Sequence, residues 1–326
     1  MAYTDIDKPS DYFETKLYAG NGVSGTEITG VGFQPNFTWI KNRSAGLSHV
    51  LSNSVSGNNK FLSSNGTAAE STDTAKFQIF LSDGFRVGSH SGVNASGNNY
   101  ASWNWKETAT AGFDIVSYTG NGSNPRTISH NLSAVPKMII IKNRDQGTDW
   151  NIYHQAIGND KTILLNTTNA SFSSSVWNST TPTSSVFSLG ANDVNTDTKN
   201  YIAYCFAEKQ GYSKFGSYTG NGSTDGTFVY LGFKPAFLIV KRTDATSNWR
   251  LWDSTRSTFN VADKLLFPDT SDQELTSSSY YMDLLSSGFK IRNTNADINA
   301  SGGSYMYMAF AENPFVTSTG VPATAR

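Results

Sequence analysis

Few residues of this chain are spaced for chemistry. Asp149, Asp253 and Asp283 are carboxylates in aromatic surroundings, the kind of residue a glycoside hydrolase uses in pairs. Glu107, Glu208 and Glu312 recur at corresponding places along the chain. Recurrence points to a shared structural task, such as pairing with Lys41, Lys142 and Lys241. The histidines His49, His90, His130 and His154 show no metal-ligand spacing, so surface or turn positions are expected for them. Gly20-Asn21-Gly22 lacks the following helix of a phosphate-binding loop and reads as a tight turn with positive φ. No Gly-x-Ser-x-Gly elbow accompanies a His and an Asp. No catalytic, cofactor-binding or metal-binding residue is therefore assigned, and the expectation is a protein that is not an enzyme and needs no cofactor. The remaining candidates are aromatic: Trp150, Tyr153, Trp249 and Trp252, flanked by Asn, Asp and Arg. A flat ring can stack on a pyranose while polar neighbours bond its hydroxyls, which makes these four candidate glycan or partner contacts. The competing reading puts the rings in a core or a subunit seam.

These residues must be positioned by a repeated unit. Tyr-x-Gly-Asn-Gly begins at Tyr18, Tyr118 and Tyr218, a spacing of 100 residues each time. Such a period matches a whole domain and not a solenoid repeat. A second shared segment, around Pro35, Pro136 and Pro235, is a proline followed by an apolar run that ends at Lys41, Lys142 or Lys241. It predicts a buried strand headed by proline, where no ladder donor is needed. A third, around Phe85, Phe187 and Phe289, alternates like a half-exposed strand. Aromatic strands at 100–107, 201–208 and 305–312 close the copies. The copies diverge between the second and third segments, where loops are expected. Residues 261–266 suggest one turn of helix. Dense Asn-Gly, Asp-Gly and Ser-Gly turns between short strands predict an all-β protein of three tandem β-sandwich, jelly-roll-like repeats. The expected boundaries are an arm at 1–13, repeats at 14–109, 110–211 and 212–315, and a tail at 316–326. The short joins at 108–112 and 209–211 suggest a stiff rod or a compact triad.

Bulk properties narrow the function. Charged residues are 16% and aromatics 13%, which suits a folded β protein and not a disordered chain. A net charge of −1 gives no pull toward nucleic acid or an anionic membrane. No apolar run approaches the roughly 20 residues of a membrane span. The first residues lack a secretory signal, so synthesis in a cytoplasm is expected. Cys205, in an apolar strand, reads as a buried inert thiol.

Residues 12–22 with Tyr18-Ala19-Gly20-Asn21-Gly22, the strand entry Gly32-Phe33-Gln34-Pro35-Asn36-Phe37, and Ala309-Phe310-Ala311-Glu312-Asn313-Pro314-Phe315 with residues 320–326 resemble a repeated domain of unknown function. That domain occurs in virion and tail-fibre proteins predicted for marine tailed bacteriophages. The resemblance spans essentially the whole chain and carries over no functional residue. Copy two departs from the pattern, with Asn131-Leu132-Ser133-Ala134-Val135 in place of the Gly-Phe entry. What the resemblance implies is a virion structural protein assembled in the host cytoplasm: a tail-fibre-type appendage, or a capsid fibre or decoration protein, that contributes to host-surface attachment. Implied partners are other virion proteins and a host-surface glycan, with homo-oligomerisation, a trimer by analogy with fibres. The alternatives are a lectin-like carbohydrate-binding module and, third, a glycan depolymerase.

Overall fold

A computed structural model describes residues 3–190 and 192–322; Met1, Ala2 and the end of the expected tail, 323–326, lie outside them. The chain is all-β, with antiparallel pairing throughout the sheets. Each hundred-residue copy builds one large sheet. In copy one its order is Phe13–Ala19, Asn99–Trp105, Phe37–Asn42, Val50–Asn53. Copy three repeats this with Ser213–Thr219, Ser304–Pro314, Phe233–Arg242 and Arg250–Asp253. Copy two does so with Phe113–Thr119, Asn200–Ala207, Pro136–Asn143 and Asn151–His154, and extends the sheet by Gly158–Leu164 and Phe172–Ser173. A smaller sheet covers one face of each: Thr26–Thr29, Gly84–Val87 and Phe77–Leu81; Arg126–Ser129 and Val186–Leu189; Phe228–Tyr230, Gly288–Ile291 and Met282–Leu285. Among the described residues no helix is long and apolar enough to cross a membrane.

The large sheets are buried on both faces. Alternate residues of Phe37–Asn42 point opposite ways, yet all six are buried. Ile40 joins Phe77, Phe85 and Val93 in a core local to copy one, and copies two and three have their own. Phe37, Trp39, Trp103 and Trp105 point the other way. They meet Ile140, Trp150 and Phe206 of copy two and Phe237, Trp249 and Phe310 of copy three in one shared core. The three copies thus form a compact triad, not a rod. The arm is part of it: Ile6 lies in the shared core, Tyr3 Oη donates to Gly232 O at 2.7 Å, and Ser318 N donates to Asp7 Oδ1 at 2.6 Å.

The repeated Tyr-x-Gly-Asn-Gly is a clamp. A buried asparagine, Asn94, Asn195 or Asn299, holds each turn. Its Oδ1 accepts from the backbone N–H of Asn21, Asn121 or Asn221. Its Nδ2 donates to the Oδ1 of the same residue and to the carbonyl of Val23, Ser123 or Ser223. The tyrosines donate to the carbonyls of Val93, Val194 and Ile298 and stack on Tyr100, Tyr201 and Tyr305 at centroid distances of 5.0, 5.0 and 4.8 Å. The first glycine is required because a Cβ on Gly20 would sit 2.2 Å from Ala95 O. The second adopts positive φ, +74° at Gly22, which glycine alone does without strain.

Two expectations need correction. Residues 261–266 form no helix: Ala262 bridges to Met282 and Lys264–Leu265 is a strand. Proline heads the strand only in copy two; Pro235 lies inside Phe233–Arg242, at a shift of register, a bulge being another place that tolerates a missing N–H. The alternation of the third segment holds in copies one and three, where Phe85 and Phe289 fill the local cores and Arg86 and Lys290 stay partly exposed; in copy two Ser188 is buried beside Phe187.

If the asparagine clamp holds each turn, Asn299→Ala strands the N–H of Asn221 and three carboxamide partners. The expected loss is about 1–3 kcal/mol of stability, read as a lower urea midpoint with unchanged m-value.

Candidate functional site

The residues with chemical potential converge on the seams between copies, where the diverged hairpins meet their neighbours. In each copy a lysine at the end of the proline-led strand reaches the hairpin of the copy before it. Lys142 Nζ donates to Thr67 O at 2.7 Å, Lys241 to Thr168 O at 2.9 Å, and Lys41 to Ser271 O at 3.0 Å. Two reaches to one before, one to three and three to two, so the contacts close a ring. Each ammonium also donates to carbonyls of its own copy, such as Leu47, Thr148 and Ser247. Burial pushes the three lysines down to about 8. The expected pairing with Glu107, Glu208 and Glu312 does not occur. Glu107 accepts from Ile115 N at 3.0 Å, Glu208 from Phe215 N at 3.4 Å, and Glu312 pairs with Lys234.

Eight residues past each lysine stand His49, Trp150 and Trp249. Their rings make one equivalent contact. Trp150 Nε1 donates to Ser63 O at 3.0 Å, Trp249 Nε1 to Leu164 O at 2.9 Å, and His49 Nε2 lies 2.9 Å from Phe267 O. His49 Nδ1 accepts from Trp39 Nε1 at 2.7 Å, so the proton sits on Nε2 and that nitrogen donates. Burial lowers His49 to about 3. The constant spacing from the lysine was the signal that could have placed His49.

A second ring runs the opposite way. Asn53 Nδ2 donates to Tyr204 Oη at 3.0 Å, His154 Nε2 lies 3.1 Å from Tyr307 O, and Trp103 Nε1 donates to Asp253 Oδ2 at 3.0 Å. At the seam between copies three and one a charge chain adds to it. Arg43 grips Glu274 with two bonds of 2.8 Å, Glu274 accepts from Arg256 at 3.1 Å, and Arg256 pairs with the fully buried Asp253 at 2.5 Å.

This geometry corrects the placement of the aromatic candidates. Trp150, Trp249 and Trp252 are at most 1% exposed and Tyr153 is 4% exposed; no sugar face can reach them. Trp150 and Trp249 are seam rings, and Tyr153 and Trp252 fill the local cores of copies two and three. Their polar neighbours bond the protein: Asp149 accepts from Asn166, and Arg250 reaches Ser247 and Asp297. Asp149, Asp253 and Asp283 do not converge; Asp283 faces Arg292 on a small sheet at 3.4 Å. Surface or turn placement holds for His90, which caps a short helical turn, and surface placement is overturned for His49, His130 and His154, which are buried and each face a backbone carbonyl. Cys205 is fully buried, and burial raises its thiol. Among the described residues no three or more His, Cys, Asp or Glu gather as a metal site would.

A family model described as Domain of unknown function (DUF7483) matches residues 8–314. It takes in all three copies, with residues 8–13 of the arm, as one unit. No curated protein matches the chain.

Two measurements check these seams. Arg256→Met leaves Asp253 buried without its partner and is expected to lose about 3–5 kcal/mol, read by chemical denaturation. Burial lowers His154 to about 4. The unfolded chain takes up a proton near pH 6.5 that folded His154 refuses. The stability advantage of wild type over His154→Gln should therefore shrink as pH falls from 6.5 to about 4, and stay constant above pH 7.

Proposed function

We propose that this chain, which belongs to the DUF7483 family over residues 8–314, is a non-catalytic structural module of a bacteriophage particle. Its role is an exposed appendage, of tail-fibre type or on the capsid, that contributes to host-surface attachment. The observation that carries the reading is the closed ring: Lys41, Lys142 and Lys241 each lock onto the hairpin of the preceding copy. The triplicated polar residues are spent on rigidity, which is what a particle component exposed to solvent requires. The resemblance of the chain's opening and closing segments to virion proteins supplies the setting, an argument by analogy.

We read the copies as tandem β-sandwich repeats at 14–109, 110–211 and 212–315. The first–last–third strand order of each large sheet, facing a small sheet that pairs the second strand with a late one, supports a jelly-roll-like description; the fourth strand, paired with the third, departs from it. The ring supplies within one chain the threefold arrangement that a fibre trimer builds from three.

The reading is tested by mass spectrometry of purified particles of the phage that encodes the chain. It should be present at a fixed copy number; particles without it would end the proposal. Sedimentation decides the assembly: a mass of three chains supports a trimeric appendage, and a mass of one supports a single copy acting as its own trimer. A depolymerase would instead release reducing ends from host polysaccharide.

A further inference from the structure

The dipeptide Asn-Gly occurs four times, at Asn21, Asn65, Asn121 and Asn221. In such a pair the glycine nitrogen can attack the asparagine carboxamide, because no Cβ shields it and the backbone turns freely. Whether it does so depends on how the N–H and the carboxamide are held. The four sites share a sequence but not a setting.

Three of them are the repeated clamp. There the glycine N–H is already engaged: Gly22, Gly122 and Gly222 donate to the carbonyls of Asn94, Asn195 and Asn299 at 2.8, 2.9 and 2.9 Å. The carboxamide oxygen of each asparagine accepts from the N–H two residues on, at Val23, Ser123 or Ser223. Nucleophile and carboxamide cannot meet unless the clamp opens.

Asn65-Gly66 lies in the diverged hairpin, at the seam of copies one and two. Among the described residues nothing accepts from the Gly66 N–H, and both residues are half-buried, within reach of water. A Cβ on Gly66 would meet nothing within 4 Å, so the backbone has room to turn. The carboxamide is held at its far end: Asn65 Oδ1 accepts from His49 N at 3.0 Å, and Nδ2 donates to Ser48 Oγ at 3.2 Å. Copies two and three make the same bond with Asn166 and Asp269, which accept from Trp150 N at 2.9 Å and Trp249 N at 3.1 Å. Threonine follows each of these, Thr167 and Thr270; only copy one has glycine there.

We propose that Asn65 is a modification site, at which the chain loses ammonia and gains a carboxylate without an enzyme, while Asn21, Asn121 and Asn221 persist. The Gly66 nitrogen gives its proton to hydroxide and bonds to Asn65 Cγ. The Cγ–Nδ2 bond breaks, ammonia leaves with a proton taken from water, and a cyclic imide joins the two residues. The His49 N–H on Oδ1 favours the negative charge that this oxygen carries as the bond forms. Water then opens the imide. Attack at Cγ gives aspartate, and attack at the main-chain carbonyl gives isoaspartate. Aspartate fits the place: Asp269 fills it in copy three, with Oδ1 on Trp249 N and Oδ2 accepting from Asn248 Nδ2 at 2.9 Å. Isoaspartate lengthens the backbone beside the carbonyls of Gly66 and Thr67, which take Trp150 Nε1 and Lys142 Nζ, and so loosens the seam. None of this depends on the chain being an appendage.

Peptide mapping by mass spectrometry on the full chain tests it, after incubation in mildly alkaline water enriched in oxygen-18. Heavy oxygen is expected at residue 65, and about fivefold or more slowly at 21, 121 and 221, where a hydrogen bond must break first. In urea the clamps are gone and the four sites should label alike. Gly66→Thr, which installs the residue of the other two copies, should bring labelling at 65 down to that of the clamps; a wild-type urea midpoint verifies its fold. Asn65→Asp should also keep the wild-type midpoint. No label at residue 65, equal labelling of all four in the folded chain, or the same preference for 65 in urea overturns the site. A lowered midpoint in Asn65→Asp overturns the fit of the product.

Discussion

The large sheet of each copy is apolar on both faces, and the rest of the structure follows from that. One small sheet can cover only one face. The other, carrying Trp39, Trp103 and Trp105 in copy one and Phe237, Trp249 and Phe310 in copy three, would lie open to water in an isolated copy. Apolar surface left open costs about 25 cal/mol per Å², and aromatic side chains bury 150–250 Å² each. Three such faces turned together remove one another from solvent. The copies are therefore not independent beads: each completes its core with residues of the other two.

A shared apolar core is non-directional and does not by itself set an angle or a register. The polar rings around it do. The lysine ring bonds each copy to the hairpin of the one before it, while the ring through Asn53, His154 and Asp253 bonds each to the one after. Removing a carbonyl or an N–H from water is unfavourable unless it finds a partner, so any other register would strand these groups. Copying left the positions alike and let the chemistry drift. Histidine does in copy one what tryptophan does in copies two and three, because each ring aims an N–H at the same neighbouring carbonyl. The bidentate pair Arg43–Glu274 recurs as Arg144–Glu70 at the seam of copies one and two, and its extension through Arg256 to Asp253 lies at the seam that no covalent join holds. Buried ion pairs give directional specificity more than net stability, and registering two ends of one chain is a task of that kind.

Some of this was legible in the sequence for local reasons. The turn at Gly20-Asn21-Gly22 depends on backbone conformations that only certain residues adopt. The strands after Pro35, Pro136 and Pro235 depend on the length and branching of an apolar run. The role of the diverged segment was not legible. Residues 63–70, 164–171 and 267–274 look like unrelated loops, because they bond their neighbours mostly through backbone carbonyls, which any residue carries. The aromatic candidates misled for a related reason: Trp249 beside Asn248 and Arg250 has the composition of a sugar site, but the polar neighbours bond the chain itself.

The sequence by itself determined the number of copies, the all-β class and the turns, since these follow from periodicity and from the conformational limits of glycine, asparagine and proline. Only the tertiary structure decided that the copies close on one another, that the tryptophans and three of the four histidines face inward, and that Thr15 is left without a partner. Those outcomes depend on which groups meet across a hundred residues or more of chain, and a linear order of side chains does not contain that distance.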